Sequence, residues 1–236
     1  MSERKPDSAD PQPSSLAGGV ISHLTNEIVA GNLAPRTRLP TEHKLMAEFG
    51  VSRTVARAAL QALAHGGLVT IEKNRGAFVS RPSIREAHEV FEARTLIEPR
   101  IARMAAKAMT DDALARLQRH VDAEHDALKD GDMGLALSLS GTFHIAIAEI
   151  ADQKVLTQIL HSLVSRSSLI IALYWKRPDT ACESHSHHAL LDAFARRDES
   201  AAEEIMKSHI VDLHSGLDLV ARNEGEPSLA DVFAAN

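Results

Sequence analysis

Leu16, Val20, Leu24 and Ile28 recur at every fourth position, and Gly31 follows them. That spacing predicts an amphipathic helix closing on a C′ glycine. After a turn around Pro35, Thr41 stands as N-cap of a second helix with Leu45, Met46 and Phe49 facing inward, and Gly50 ends it. Only Val51 separates that glycine from Ser52, the N-cap of a third helix running to His65-Gly66-Gly67. Val55, Ala59 and Leu63 form the apolar stripe of this third helix, while Arg53 and Arg57 share another face, four residues apart. The period then changes. LVTI (68–71) and AFVS (77–80) are two short apolar strands around the polar turn EKNRG (72–76), a hairpin with Arg75 at its tip and Gly76 for backbone freedom. Two helices joined by a short Gly-containing turn, followed by a hairpin, predict a winged helix-turn-helix over residues 16–82.

From Ser83 onward the strand pattern disappears. Ser83-x-x-Glu86 forms a capping box, and helices are expected at 83–108, 111–130, 132–151, 153–176, 181–197 and 199–223. Short connections imply an antiparallel bundle over residues 83–223. The fold class is therefore mostly α: an N-terminal winged helix-turn-helix and a C-terminal all-α bundle. Residues 1–15 read as a disordered polar tail and residues 224–236 as a C-terminal tail.

Charge adds an asymmetry that the apolar pattern does not contain. The formal net charge is −6, yet residues 16–82 carry eight Lys/Arg against four Asp/Glu, and residues 83–236 carry sixteen against twenty-five. A basic domain precedes an acidic one, so a polyanion partner is expected at the N-terminal end alone. Ser52 with its free helix N–H groups and the guanidiniums of Arg53 and Arg57 make an anion-facing helix end. As the recognition helix of a winged fold, this segment would enter a DNA major groove, with Arg75 reaching phosphate or the minor groove. The single cysteine, Cys182, excludes an intramolecular disulfide and fits a reducing cytoplasm. No apolar run is read as membrane-spanning, and the N-terminus lacks a signal-peptide core.

Ten of the thirteen histidines lie after residue 83. His120, His125, His161 and His185 carry no constraining pattern and read as surface residues. His144 lies seven residues after Leu137 and four before Ala148; His187 leads Leu190, Leu191 and Phe194; His209 follows Ile205 and Met206 and precedes Leu213. Three helices thus each aim an imidazole inward, and converging imidazoles in a bundle core are a natural divalent-metal site. Periodicity separates His187 from the adjacent His188 only modestly. Arg94 has Glu98 four residues on, which by spacing alone reads as a surface ion pair.

Two resemblances sharpen these readings. The run from Gly31 to Leu45 (G-x-L-x-P-x-x-x-LP-T-E-x-x-L), then VSRT-x-x-R-x-AL-x-x-L and GLV…RGAFV, resembles the DNA-binding domain of GntR-family transcription regulators. The resemblance implies that Ser52, Arg53, Thr54 and Arg57 contact DNA, with Asn74, Arg75 and Gly76 on the wing. His43 stands where the family usually has arginine, and could touch phosphate. Val55 and Ala58 also depart from the family's proline and glutamate. EVFEARTLIEPRIARMAA (89–106), FH at 143–144 and the HxALLDAF run resemble the FCD effector domain of the FadR-type branch, in its six-helix, VanR-like form. This implies a divalent metal, zinc or nickel, on His144, His187 and His209, and a small carboxylate effector met by Arg94, with Arg166 as a further pocket residue. The family's fourth ligand, an aspartate, is Ser140 here. That change removes a negative charge and leaves the position for water, effector or Cys182.

The expectation is a dimeric, cytoplasmic regulator of double-stranded operator DNA controlled by such an effector, and not an enzyme. A metal-sensing regulator is the alternative. A three-histidine metal-dependent enzyme is less favoured, because no carboxylate is placed by spacing beside the histidines and Glu149 turns away from His144.

Overall fold

The computed structural model describes residues 13–175 and 181–219. The expected N-terminal order is present: α1 (Pro13–Val29), α2 (Glu42–Phe49), α3 (Arg53–His65), then the antiparallel hairpin β1 (Val69–Glu72) and β2 (Gly76–Val79). Six helices follow: α4 (Ile84–Ala108), α5 (Asp111–Lys129), α6 (Met133–Ile150), α7 (Lys154–Tyr174), α8 (Ala181–Ala195) and α9 (Glu199–Ser215). Caps explain most boundaries. The hydroxyls of Thr41, Ser52, Ser83 and Thr110 and the carboxylates of Asp132 and Asp198 each accept a backbone N–H in the first turn of the following helix. Gly50 stops α2 with φ +63, a conformation that would strain a side-chain-bearing residue.

Two apolar cores result. Val20, Leu24, Ile28, Leu45, Val55, Ala59 and Leu63 are buried in the N-terminal core, as the four-residue spacing requires. Leu169 also belongs to that core, although it comes from α7. The second core lies inside the bundle, where α4 packs on α9 and α5 on α6 and α8. The two parts touch closely. A Cβ on Gly134 of α6 would stand 2.5 Å from the Ala30 side chain at the end of α1.

Two boundaries differ from the sequence reading. The first helix begins at Pro13, inside the stretch expected to be tail, because proline suits the first helical position where its missing N–H costs nothing. Residues 1–12 of that tail lie outside the described residues. The last helix ends at Ser215 and not at 223. Gly216 lies under the Trp175 ring, Leu217 bridges Trp175, and the Asp218 amide donates to the Tyr174 carbonyl, so the chain turns to pair with the end of α7. The expected tail at 224–236 lies outside the described residues. The membrane reading also needs correction. Both α6, with mean hydropathy 1.4, and α7, with 1.3, are long and apolar enough to span a bilayer; half of the α6 window is buried within the fold.

Candidate nucleic-acid interface and three-histidine pocket

Helix α3 presents its N-terminal turn to solvent. Ser52, Arg53, Thr54 and Arg57 are all exposed, and the Ser52 hydroxyl accepts the Val55 N–H at 3.3 Å. Both arginines close on one residue of α2. Arg53 Nε donates to Glu42 Oε2 at 2.7 Å, and Arg57 Nε donates to Oε1 at 2.8 Å. The hydrogen bonds from Arg57 and then Arg53 hold the Glu42 carboxyl at about 2. Glu42 therefore orients two cations while leaving the turn one positive charge in excess. Sequence reasoning did not single it out. The available signal was an acid in the first turn of the helix that packs against an arginine pair.

The hairpin places Asn74 in the left-handed region at φ 63 and Gly76 at φ 111, both exposed. A Cβ at Gly76 would come 3.1 Å from Arg38 Nε, so the glycine lets a further arginine sit behind the wing. Arg75 pairs with Glu72 and lies over the Phe78 ring. A groove of about 710 Å³ runs between α2, α3 and the wing, lined by Arg38, His43, Arg53, Arg57, Asn74 and Gly76. Arg38 is a second residue that sequence reasoning passed over. Its position in the basic domain was the only signal. Exposed cations around such a groove suit a phosphate backbone.

The bundle holds the second site. His144 on α6, His187 on α8 and His209 on α9 are buried, with relative exposures of 2%, 0% and 2%. One nitrogen of each lies within 4.8 Å of the others. His188 is exposed, so the helix turns the right member of that pair inward. His144 Nε2 and His209 Nε2 are 3.3 Å apart. On the outer side His144 Nδ1 meets Glu98 Oε2 at 2.5 Å, and His187 Nδ1 meets Glu124 Oε2 at 2.7 Å. A carboxylate on Nδ1 fixes that nitrogen as the N–H and leaves a lone pair on Nε2. His187 Nε2 is buried with no hydrogen-bond partner.

Burial pushes the His144 ring below its ordinary value against the raising effect of Glu98. His209 is lowered further, by burial and then by His187, His144 and Arg94. Neutral imidazoles have lone pairs to give. Burial alone would raise Glu98, but the Arg94 charge and the hydrogen bonds from His144 and Arg94 hold it at about 2.

The two carboxylates overturn the expectation that none stands beside the histidines. Glu98 follows Arg94 by one turn, and Glu124 continues the buried stripe of Leu117 and Val121 on α5. An acid on an apolar stripe was the missed signal for Glu124. Both hold the outer ring nitrogens, while Glu149 is exposed as expected.

Arg94 is not on the surface. The residue is 2% exposed, and its guanidinium bonds Glu98 through Nε at 2.5 Å and donates from Nη1 to Ser167 Oγ at 2.8 Å. Ser140 is buried on α6, one turn before His144. The Cys182 side chain lies outside the described residues. Arg166 requires correction. It leaves the pocket and pairs through Nη1 with Glu86 at 2.6 Å, because its side of α7 faces the DNA-binding domain. Of the histidines expected on the surface, His120 is half-buried and bonded to the Leu139 carbonyl, whereas His125, His161 and His185 are exposed.

Comparisons with known proteins agree with the division into two domains. Residues 16–79 match the gntR family of bacterial regulatory proteins, and residues 89–212 match the FCD domain. The chain is 32% identical over 221 residues to the HTH-type transcriptional repressor NanR of Cronobacter sakazakii, covering 83% of this chain and 82% of that one. It is 26% identical over 215 residues to the galactonate operon transcriptional repressor of Escherichia coli, covering 78% and 89%. Escherichia coli McbR/YncC has the same fold, with a TM-score of 0.69 at 23% identity over 85% of this chain and 97% of that one. This chain belongs to the GntR family of DNA-binding transcription regulators, in the branch that carries an FCD domain, and is not an enzyme.

Proposed function

We propose that this regulator's operator affinity is set by a small carboxylate effector bound with a divalent cation, zinc or nickel, at His144, His187 and His209. The observation that carries the reading is the partnerless Nε2 of His187, fully buried beside two neutral rings. An orphaned buried nitrogen is costly unless something occupies its lone pair. Three buried imidazoles, two of them with the outer nitrogen tied to a carboxylate, are a donor set that fits such a cation. The cation would supply a Lewis-acidic anchor for a carboxylate oxygen. Glu98 and Glu124 orient the rings, Arg94 places a fixed positive charge behind them, and Ser140 offers a neutral hydroxyl where the family has an acid. Formally, two carboxylates and one guanidinium leave a divalent site one positive charge in excess, which favours an anionic effector.

On the DNA side, Ser52, Arg53, Thr54 and Arg57 read the major groove and Asn74, Arg75 and Gly76 follow the backbone from the wing, with His43 at phosphate. The active species is a cytoplasmic homodimer. Elemental analysis of purified protein, on wild type and on His187→Ala, tests the pocket. Stoichiometric metal in the wild type and its loss in the variant is the expected result. No metal in the wild type after incubation with zinc or nickel would reject it. Titrating zinc against operator affinity with no carboxylate present separates this reading from one in which the metal alone is the signal.

A further inference from the structure

Helix α7 connects the histidine pocket to the DNA-binding domain through adjacent residues. Ser167 is 1% exposed and accepts the Arg94 Nη1 hydrogen bond at 2.8 Å, while its own hydroxyl donates to the Val164 carbonyl at 2.9 Å. Arg94 bonds Glu98, and Glu98 bonds His144. One residue earlier, Arg166 points the other way. Its stem and guanidinium lie on Gly67, where a Cβ would come 2.7 Å from Arg166 Cγ and Nε.

Gly67 has φ +79 and belongs to the turn that ends the recognition helix. Two constraints meet at this glycine: its backbone conformation is strained for any other residue, and its missing side chain is the space Arg166 fills. Beyond it, Arg166 Nη1 reaches Glu86 in the first turn of α4, and Ser165 Oγ is 3.4 Å from where a Gly66 Cβ would stand. Tyr174, on the same helix, donates its hydroxyl to the Pro82 carbonyl in the segment between domains at 2.8 Å. A half-exposed Arg–Glu pair contributes little stability by itself. The packing on Gly67 is what gives it a consequence.

We propose that Arg166 is a positioning residue for the recognition helix, linking the pocket to the C-terminal turn of α3 through the single step between Ser167 and Arg166. The link rests on the reading that the pocket is the occupied site. A change around His144 that moves Glu98 or Arg94 displaces Ser167, and the rigid helix carries Arg166 with it against Gly67.

Hydrogen exchange of the full chain, with and without zinc, tests this at the amides of residues 61–68. In the wild type, zinc should slow exchange there by about fivefold or more. Arg166→Gln should bind zinc with wild-type affinity by calorimetry, keep the wild-type melting temperature within a few degrees (about 3 °C), and lose the zinc effect on those amides. A variant that binds zinc and keeps the full effect overturns the proposal. If the wild type binds no zinc, the functional reading falls and the link is judged on metal-free protein. There Ser167→Ala, made on the pocket side, should speed exchange at residues 61–68 about fivefold, as Arg166→Gln does. Unchanged exchange in both variants would overturn the link as well.

Discussion

Glu42 shows how one side chain sets the behaviour of two others. Its carboxylate neutralises part of the positive charge of Arg53 and Arg57 and fixes their direction. Removing the charge frees both guanidiniums, which then gain general attraction to phosphate and lose orientation toward base edges. Glu42→Gln should raise affinity for random duplex about threefold and lower the operator-to-random ratio about tenfold, by fluorescence anisotropy at fixed salt. The pH response follows from the same contact. The folded carboxyl is lowered from 4.5 to about 2, so the clamp's contribution is complete above 4.5 and is lost only as pH falls toward 2. An NMR titration of the Glu42 side-chain carboxyl should show it ionised throughout the range in which the protein binds DNA. A midpoint near 4.5 would mean the arginines are not closed on it.

At the scale of elements, α7 belongs to two cores at once. Leu169 is 1% exposed in the N-terminal core, while Leu160, Val164 and Ile170 are buried in the bundle core. Leu169→Ala would empty part of the first core from a helix anchored in the second. The expected cost is about 2–5 kcal/mol, read by urea denaturation. Because both cores share the helix, the loss should appear as one cooperative transition with an earlier midpoint. Two separated transitions in the wild type would show that the shared helix does not couple the domains. The same packing accounts for part of the hydropathy of α6 and α7, since half of the α6 window and 39% of the α7 window are buried within the fold.

For the whole molecule, the distribution of charge sets which end meets DNA. The basic N-terminal domain is attached to an acidic bundle, so phosphate is attracted to the winged helix and repelled elsewhere. One recognition helix reads too few base pairs to be selective, which is why a homodimer on two half-sites is expected. Duplexes selected from a random pool by the full chain should contain inverted repeats. Cutting the duplex to one half-site should weaken binding at least about a hundredfold. Equal affinity for a single half-site would argue for a monomeric reader.

Much of this protein is local in origin. The spacing of Leu16, Val20, Leu24 and Ile28, the caps at Thr41, Ser52 and Ser83, and the change of period at LVTI define elements through contacts between residues a few positions apart, so the chain itself specifies them. The inward aim of His144, His187 and His209 was legible for the same reason, because helical periodicity carries a residue's facing. Facing is not partnership. That Glu98 and Glu124 hold the outer nitrogens, that Glu42 closes on the recognition helix, and that Arg94 is buried while Arg166 turns to Gly67 depend on how helices pack across large sequence separations. So does the end of α9, which stops where Trp175 covers Gly216. Sequence determined which elements form and which apolar residues and histidines turn inward, through short-range sterics and apolar burial. Only the tertiary structure decided which charges meet, because an ionic partner is chosen by distance in space after the helices have packed.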